Sequence, residues 1–146
     1  MRLSENFDLS EFTRTNVKAN NTPENIHLEN IKALTENILQ PVRKIYGKSI
    51  TITSGFRSSE VNKKVGGAAT SQHSKGEAAD LVCEDKAKLF EIIKSLDNFD
   101  QLIWEYGNDK SPDWVHVSYS KSRCRKQILR AIKQNGKTKY IPFQSA

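Results

Sequence analysis

The sequence is poor in cysteine and has no long hydrophobic run. Only two of its 146 residues are cysteines, Cys83 and Cys124, and two cannot build the disulfide framework of a small secreted protein. No segment is apolar enough to span a membrane, and residues 1–6 lack the apolar stretch of a signal peptide. We therefore expect reduced thiols, with Cys83 buried, and a protein that is made and kept in the cytoplasm without membrane insertion.

Internal repeats and low-complexity tracts are also absent. The 146 residues are 36% hydrophobic and 27% charged, which is ordinary for a soluble globular protein. A chain of this length can bury a sizeable core. We expect one domain that spans residues 1–146, and a monomer.

Histidine is scarce as well, and its placement predicts a metal site. The chain has three histidines, of which His73 comes seven positions before Asp80, with Gly76 between them. His116 comes three positions after Asp113. A catalytic zinc ion keeps three protein ligands, and a carboxylate that is not a ligand takes the proton from the attacking water. The pattern predicts one Zn²⁺ ion bound by His73, Asp80 and His116, which leaves Asp113 as the candidate general base.

The segments around these residues alternate as strands do. In residues 78–83, Asp80 lies on the opposite face from the apolar side chains at positions 79, 81 and 83. In residues 114–119, His116 lies opposite a row of apolar, core-facing side chains. Because positions 113 and 116 are an odd number apart, a regular strand would put them on opposite faces. We therefore expect Asp113 to lie in the turn before the strand.

The remaining pattern predicts an α+β fold. Residues 22–47 begin as helices do, with Thr22 at the cap position and Pro23 after it. Gly47 should end this helix, and Pro41 should bend or interrupt it. The predicted buried stripe is Ile31, Leu34, Ile38, Val42 and Ile45. Further helices are expected at residues 60–65 and 85–96, and further strands at residues 49–54, 100–106, 127–132 and 137–141. We expect a single domain with a mostly antiparallel sheet that carries the metal ligands, and with helices on one side.

These motifs resemble the zinc D-alanyl-D-alanine carboxypeptidase family, which also includes phage-encoded L-alanyl-D-glutamate endopeptidases. The shared pattern is Ser-x-His-x-x-Gly-x-Ala-x-Asp followed by Asp-x-x-His. The matching residues are Ser71, His73, Gly76, Ala78, Asp80, Asp113 and His116. The likeness extends to residues 54–58, which read Ser-Gly-Phe-Arg-Ser, and to residues 101–105. The resemblance covers about residue 7 to residue 131. Among the family, the chain most resembles the short, single-domain phage and prophage branch.

The resemblance implies a fold, a metal and a substrate. The fold is the one shared by the D-alanyl-D-alanine peptidases and Hedgehog signalling domains. The substrate is a peptidoglycan stem peptide, cut by a carboxypeptidase or by an L-alanyl-D-glutamate endopeptidase. The resemblance assigns zinc binding to His73, Asp80 and His116. It assigns proton transfer to Asp113 and substrate contact to Arg57, in an enzyme that acts on the cell wall after release.

One position departs from the family pattern. Some members carry a second site histidine two positions before the base, where it helps to stabilise the transition state. Ser111 stands there in this chain. The exopeptidase mechanism of those members is therefore not carried over in every detail.

Several residues near the site have two interpretations. Arg57 follows a strand and could clamp a substrate carboxylate or form a structural salt bridge. Glu105 could orient a ligand imidazole or pair with a surface lysine or arginine. Trp114 could line the substrate cleft or pack in the core. Ser71 and Gln72, just before the first metal-site histidine, are further candidates for contact with the ligands or the substrate.

The C-terminal segment is strongly basic. Residues 121–146 contain eight Lys or Arg and no Asp or Glu, and the whole chain has a net charge of +6. Asn135-Gly136 predicts the turn of a closing hairpin at about residues 121–143. We expect this charge to favour anionic envelope polymers. We expect no nucleic-acid partner, because aromatic residues are not interleaved with the charges and no nucleic-acid-binding motif is present.

The favoured function is therefore a zinc peptidase that acts on cell-wall peptides. The alternatives are a zinc-containing binding module without catalysis and a basic nucleic-acid-binding protein. Nucleotide binding is rejected, because the glycine loop at residues 66–70 lacks the Lys-Ser/Thr pair and the flanking strand and helix of a P-loop.

Overall fold

A six-stranded mixed sheet forms the centre of the molecule. The computed structural model describes residues 1–68 and 71–144, so the predicted glycine loop at residues 66–70 lies partly outside the described residues. The strands are β1 (Thr51–Ser54), β2 (Ala78–Val82), β3 (Gln101–Glu105), β4 (Trp114–Ser118), β5 (Gln127–Gln134) and β6 (Lys137–Pro142). Their order across the sheet is β1-β2-β4-β3-β5-β6. Neighbouring strands are antiparallel except for β3 and β5, which are parallel. The predicted α+β class with a mostly antiparallel sheet is confirmed.

Five short helices accompany the sheet in the described part of the chain. They are α1 (Ser10–Thr13), α2 (Asn25–Leu34), α3 (Gln40–Tyr46), α4 (Ser59–Lys64) and α5 (Lys86–Lys94). A π turn at Thr35–Leu39 joins α2 to α3 without a break, and a 3-10 turn at Gln72–Lys75 precedes β2. None of the described helices is long and apolar enough to cross a membrane.

The helix predicted at residues 22–47 starts later than expected. Its cap is Glu24 and not Thr22, because the Glu24 side chain accepts the backbone N–H of His27. In return, His27 Nδ1 accepts the Glu24 N–H at 3.0 Å. The Thr22 hydroxyl instead donates to Asn20 Oδ1 at 2.8 Å. The reciprocal pair of bonds satisfies two helix-end donors, which a lone threonine could not do.

The predicted buried stripe of this helix is correct except at its last position. The four buried members are Ile31, Leu34, Ile38 and Val42. Ile45 is 60% exposed, and Tyr46 is buried in its place. The π turn adds one residue before α3 and so rotates it by about 100° relative to a regular helix. The turn ends two residues before Pro41, which has no N–H to continue the regular hydrogen bonds, so the predicted interruption is present.

The helices from α2 to α3, together with α5, pack against one face of the sheet. The inward side chains of β2 and β4 are fully buried in this core: Ala79, Leu81, Val115 and Val117. Asp80 and His116 lie on the opposite face, as the alternation predicted. One face of the sheet therefore forms the core, and the other is free to carry polar groups.

The predicted C-terminal hairpin is present as β5 and β6. Asn135 has φ +55° and Gly136 has φ +75°, which is the pair of positive values that a two-residue hairpin turn requires. The parallel pairing of β5 with β3 makes this hairpin one edge of the six-stranded sheet.

Both cysteines are free thiols. Cys124 is exposed. Cys83 is only partly buried against the core, because it follows the last residue of β2, so the expected burial of this thiol is incomplete.

Candidate metal and active site

An open cavity of about 1020 Å³ lies on the sheet face that points away from the helices. Residues of β2, β3 and β4 form its floor, and the 3-10 turn and the C-terminal hairpin contribute to its walls. Eight of the nine site residues predicted from the sequence line it: Arg57, Ser71, Gln72, His73, Asp80, Glu105, Trp114 and His116. Asp113 does not line it, and neither does Ser111.

Two histidines and one aspartate converge in this cavity. Asp80 on β2 is the direct cross-strand partner of His116 on β4, whereas His73 comes from the 3-10 turn and not from the sheet. Asp80 Oδ1 lies 3.0 Å from His116 Nδ1 and 3.4 Å from His73 Nε2. One ligand atom from each residue lies within 4.8 Å of the others, and both histidines are buried. The sheet register therefore brings together residues that are far apart in the sequence.

Each histidine is oriented by a second hydrogen bond on its other ring nitrogen. His73 Nδ1 donates to Gly55 O at 2.8 Å, because a carbonyl oxygen can only accept. His116 Nε2 donates to Gln72 Oε1 at 3.3 Å. The other ring nitrogens, His73 Nε2 and His116 Nδ1, face Asp80. In the metal-free protein they donate to Asp80 when protonated, and a bound metal ion would replace those protons. Metal-binding histidines are held in this way, with the nitrogen that does not bind the metal donating to the protein.

Asp80 supplies the negative charge of the group. Burial opposes its ionisation, but hydrogen bonds and charge attraction from His116 and His73 outweigh burial and hold the pKa of Asp80 well below its usual range. Two imidazole nitrogens and one carboxylate oxygen form a donor set that suits Zn²⁺. These residues therefore fit a metal ion.

Gln72 connects His116 to a buried charge pair that the sequence analysis missed. Gln72 Nε2 donates to Asp100 Oδ2 at 2.9 Å, which determines the orientation of the Gln72 amide. Asp100 is fully buried and accepts from Arg125 Nε at 2.8 Å and from Arg125 Nη2 at 3.1 Å. Burial raises the pKa of Asp100, but the bonds from Arg125 outweigh it and lower the pKa. The sequence did contain a signal for this pair. Asp100 lies close before the apolar residues of β3, and a carboxylate that is buried there needs a positively charged or hydrogen-bonding partner.

Gly76 positions the turn that carries His73. It has φ +77°, and a Cβ atom there would lie 2.7 Å from His27 O on α2. Asn30 Nδ2, on the same helix, donates to Lys75 O at 2.9 Å. The 3-10 turn therefore lies directly against α2, and this close approach requires a residue without a side chain at position 76.

Arg57 lies beside the metal-site histidines with part of its guanidinium unsatisfied. Its backbone N–H donates to His73 O at 3.1 Å, and Nη2 donates to Ser71 Oγ at 3.4 Å. Its Nε is buried without a hydrogen-bond partner among the described residues. Burial lowers the pKa of Arg57, and Asp80 opposes this effect. Arginine nevertheless stays charged near neutral pH, so Arg57 presents a cation to the cavity.

The two remaining acidic candidates differ in their surroundings. Asp113 is exposed in the turn before β4, where the sequence predicted it, and its backbone N–H donates to Glu105 O at 2.8 Å. Glu105 is 6% exposed and lines the cavity. Its carboxylate has no hydrogen bond or ion pair with any residue that the structure describes. Burial raises the pKa of Glu105 to about 7, with His116 opposing the shift and Asp80 adding to it.

The two tryptophans have different roles. Trp104 is buried in the core, and its Nε1 donates to Asn108 O at 3.0 Å. Trp114 lines the cavity and meets the ring of Tyr106 edge-on, with ring centroids 5.4 Å apart. Its Nε1 is buried without a partner among the described residues. The Trp114 indole therefore lines the cavity with an N–H that has no protein acceptor in the described part of the chain.

Comparison with known proteins identifies the family. A family model described as Peptidase M15 matches residues 5–118, a span that includes all the residues that converge on the metal site and ends before the C-terminal hairpin. No curated protein matches the chain. The matched span covers most of the chain, and it contains the donor set that a metal-dependent peptidase requires. The chain therefore belongs to the peptidase M15 family of metallopeptidases.

Proposed function

We propose that the protein is a zinc-dependent peptidase that cuts the stem peptides of peptidoglycan. The observation that carries the proposal is the convergence of His73, Asp80 and His116 in an open cavity, with one ligand atom from each within 4.8 Å of the others. Membership of the M15 family supports a metallopeptidase, and the residue pattern that resembles the D-alanyl-D-alanine peptidases supports a cell-wall peptide as the substrate.

His73, Asp80 and His116 would hold the metal. When bound, Zn²⁺ supplies a Lewis acid and a water molecule with a pKa near about 7. The hydrogen bonds to Gly55 O and Gln72 Oε1 keep the other ring nitrogen of each histidine directed at the metal position. Most of the site is thus organised by the protein itself, before any metal is bound.

Arg57 would hold a carboxylate of the substrate. Its guanidinium faces the cavity with Nε unsatisfied and no acidic partner within salt-bridge distance among the described residues. A planar fork of donors suits a carboxylate, which can accept two bonds from it. The substrate of a carboxypeptidase ends in a free carboxylate, to which Arg57 could donate. Arg57 would therefore position the substrate, and the Trp114 ring would form part of the wall beside it.

A general base is needed close to the metal position. Asp113 is the residue that the family pattern predicts for this role, and its role remains a prediction. Glu105 is a second acidic candidate because it lines the cavity. The base must reach the attacking water by a direct hydrogen bond or through one water molecule.

We further propose that the enzyme acts as a lysin at the cell wall. The C-terminal hairpin presents exposed lysines at positions 133, 137 and 139, outside the region matched by the family. This positive surface would attract anionic polymers of the envelope and raise the local concentration of enzyme at the wall.

The experiment that tests the proposed function is mass spectrometry of purified peptidoglycan after incubation with the protein, with and without a zinc chelator. Chelator-sensitive release of D-Ala would identify a carboxypeptidase, and peptides that begin with D-Glu would identify an endopeptidase. His116→Ala should abolish both zinc binding and product. His27→Ala, which replaces the histidine on α2, should retain both. Bound zinc without any product from several wall types would favour a binding module that does not catalyse.

A further inference from the structure

We propose that Arg123, together with Arg125, binds a carboxylate of the substrate that is separate from the one assigned to Arg57. The ligand would be the free side-chain carboxylate of a diamino dicarboxylic acid at the third position of the stem peptide. The enzyme would then prefer such stem peptides over those with lysine at this position, because lysine lacks that carboxylate. The inference rests on the proposed function, since it names the substrate group that the same cavity selects.

The two arginines share one buried carboxylate. Asp100 is fully buried, whereas the side chains of Arg123 and Arg125 are 48% and 40% exposed. Arg123 Nη2 lies 3.4 Å from Asp100 Oδ2, and Arg125 Nε lies 2.8 Å from Asp100 Oδ1. Both guanidinium groups stay charged near neutral pH, and a single carboxylate cannot neutralise two of them. The cluster therefore keeps an excess of positive charge at the cavity.

The hydrogen-bonding capacity of Asp100 is used up without Arg123. Oδ1 accepts from the backbone N–H of Arg125 at 3.2 Å and from its Nε at 2.8 Å. Oδ2 accepts from Arg125 Nη2 at 3.1 Å and from Gln72 Nε2 at 2.9 Å. A carboxylate has about four lone-pair sites, so these four donors occupy all of them. The Arg123 guanidinium is attracted to Asp100 but forms no hydrogen bond to a protein acceptor in the described part of the chain.

The backbone of Arg123 is fixed while its guanidinium is open. Its N–H donates to Ser120 O at 3.2 Å, which closes the turn after β4. Arg123 and Arg125 line the same cavity as the metal-site residues. A guanidinium presents a planar fork of donors that matches a carboxylate in a bidentate arrangement. Arg123 therefore has the charge, the free donors and the position to bind an anionic group in the cavity.

Gln72 sets the distance between this cluster and the metal position. Its amide donates to Asp100 Oδ2 at 2.9 Å and accepts from His116 Nε2 at 3.3 Å. One side-chain amide thus separates Asp100 from a metal-site imidazole. An extended peptide covers about 3.3–3.6 Å per residue, so a residue close to the cut bond can reach Arg123.

The third residue of a stem peptide meets this condition for both candidate cleavage sites. It directly follows the D-Glu of an L-alanyl-D-glutamate bond, and it directly precedes the two residues of a D-alanyl-D-alanine bond. This position holds either lysine or a diamino dicarboxylic acid, diaminopimelate, which has the same chain of carbon atoms and one further carboxylate. An arginine beside the third residue would distinguish the two by that carboxylate.

The cluster joins two regions of the sequence. Gln72 and Asp100 lie within residues 5–118, which the family model matches, whereas both arginines lie beyond them. The segment with the arginines is held to the start of β3, since the N–H of Gln127 donates to Asp100 O at 3.0 Å. The matched region supplies the metal site, and the C-terminal segment adds a contact that selects the substrate.

The test measures kcat/KM of the zinc-loaded full-length chain on three stem peptides that differ only at the third residue. This residue is diaminopimelate, its side-chain carboxamide, or lysine. The wild type should prefer the diaminopimelate peptide by about 10–100-fold, because hydrogen bonds between charged groups are strong. Arg123→Gln should reduce this preference to less than about threefold. Arg123→Lys, which keeps the charge but loses the planar fork, should be intermediate.

Lys121→Gln is the matched control. Lys121 is exposed in the same turn and does not line the cavity, and this change removes the same charge. The variant should keep the full preference, which separates a local contact from long-range attraction. Zinc titration should show one ion per chain and an unchanged dissociation constant in Arg123→Gln. Arg125 is left in place, because it also holds Asp100 and, through Gln72, the His116 ring.

The inference is overturned if the wild type cuts all three peptides with similar kcat/KM, or if Arg123→Gln keeps the preference. Equal losses in Lys121→Gln and Arg123→Gln would also contradict it, as would weaker zinc binding in Arg123→Gln. A wild type that binds zinc but cuts none of the peptides would remove the proposed function instead. Calorimetric titration with the same peptides then decides. Tighter binding of the diaminopimelate peptide by the wild type, but not by Arg123→Gln, supports the contact, and equal binding or no binding overturns it.

Discussion

The two faces of the central sheet differ in polarity and in exposure to solvent. The face toward the helices is apolar and closed, and residues such as Leu81 and Val117 have no exposure at all. Residues that line the cavity include two buried N–H donors without a protein acceptor among the described residues, Arg57 Nε and Trp114 Nε1. Unpaired buried polar groups reduce stability. Burial of the first face therefore stabilises the fold. The second face carries polar groups that do not stabilise the fold and that the proposed function would use.

The largest expected effect comes from neighbouring residues on β2 that point to opposite faces. Asp80→Ala should abolish zinc binding and peptide hydrolysis, because it removes the carboxylate between the two histidines. Leu81→Ala should instead destabilise the protein by about 2–5 kcal/mol while one zinc ion still binds. Zinc titration and urea unfolding of the metal-free proteins would measure both effects. Zinc bound normally by Asp80→Ala would show that the polar face is not the metal site.

A smaller effect is expected from the hydrogen bond behind His116. Gln72→Leu removes the acceptor for His116 Nε2 and leaves Asp100 with one donor fewer, so zinc affinity should fall by about 10–100-fold. Gln101→Leu is a matched control, since this residue also lines the cavity and, within the described part of the chain, its side chain donates only to Gln127 Oε1. Its zinc affinity should stay unchanged. Equal losses in both variants would mean that cavity polarity matters and that the contact with His116 does not.

The smallest expected effect is a gain in stability. The pKa of Glu105 is raised from 4.5 to about 7, so the folded metal-free protein binds this proton more tightly than the unfolded chain does. The contribution of Glu105 to the free energy of unfolding is therefore fully present below the pKa that this group has in the unfolded chain. It is lost as the pH rises through about 7, the pKa in the folded protein. Glu105→Gln should therefore be more stable than the wild type at pH 8 by about 1–2 kcal/mol, less than the full shift because the cavity is open to water.

Urea unfolding with a chelator at pH 8 and pH 5 would measure this gain. The difference between Glu105→Gln and the wild type should shrink towards pH 5, because the other titrating groups are common to both proteins. Asp113→Asn, which changes an exposed side chain, should show no such difference. A Glu105→Gln variant that is less stable than the wild type at pH 8 would show that Glu105 supports the fold.

The metal-site geometry could be predicted from the sequence because it depends on local periodicity. Strand alternation put Asp80 and His116 on the face opposite the apolar residues, and the structure places both of them on that face. The Asn135-Gly136 turn was predicted for the same reason, since both positive φ values are a property of the residues themselves.

The errors arose where packing decides between local options. Ile45 was assigned to the core by a regular helical period, which the π turn before α3 shifts by one residue. The helix start moved from Thr22 to Glu24 because His27 completes a reciprocal cap. In both cases several local arrangements were acceptable, and contacts with the rest of the molecule selected one of them.

The sequence by itself determined which residues are able to bind a metal and on which strand faces they lie. Only the tertiary structure decided how those faces meet: it paired Asp80 with His116, placed β5 parallel to β3, and joined Gln72 to Asp100. It also separated the two acidic candidates, with one carboxylate in the cavity and the other in solvent. The physical reason is that alternation along a strand is a local property of the chain, whereas strand order and burial depend on contacts between distant segments.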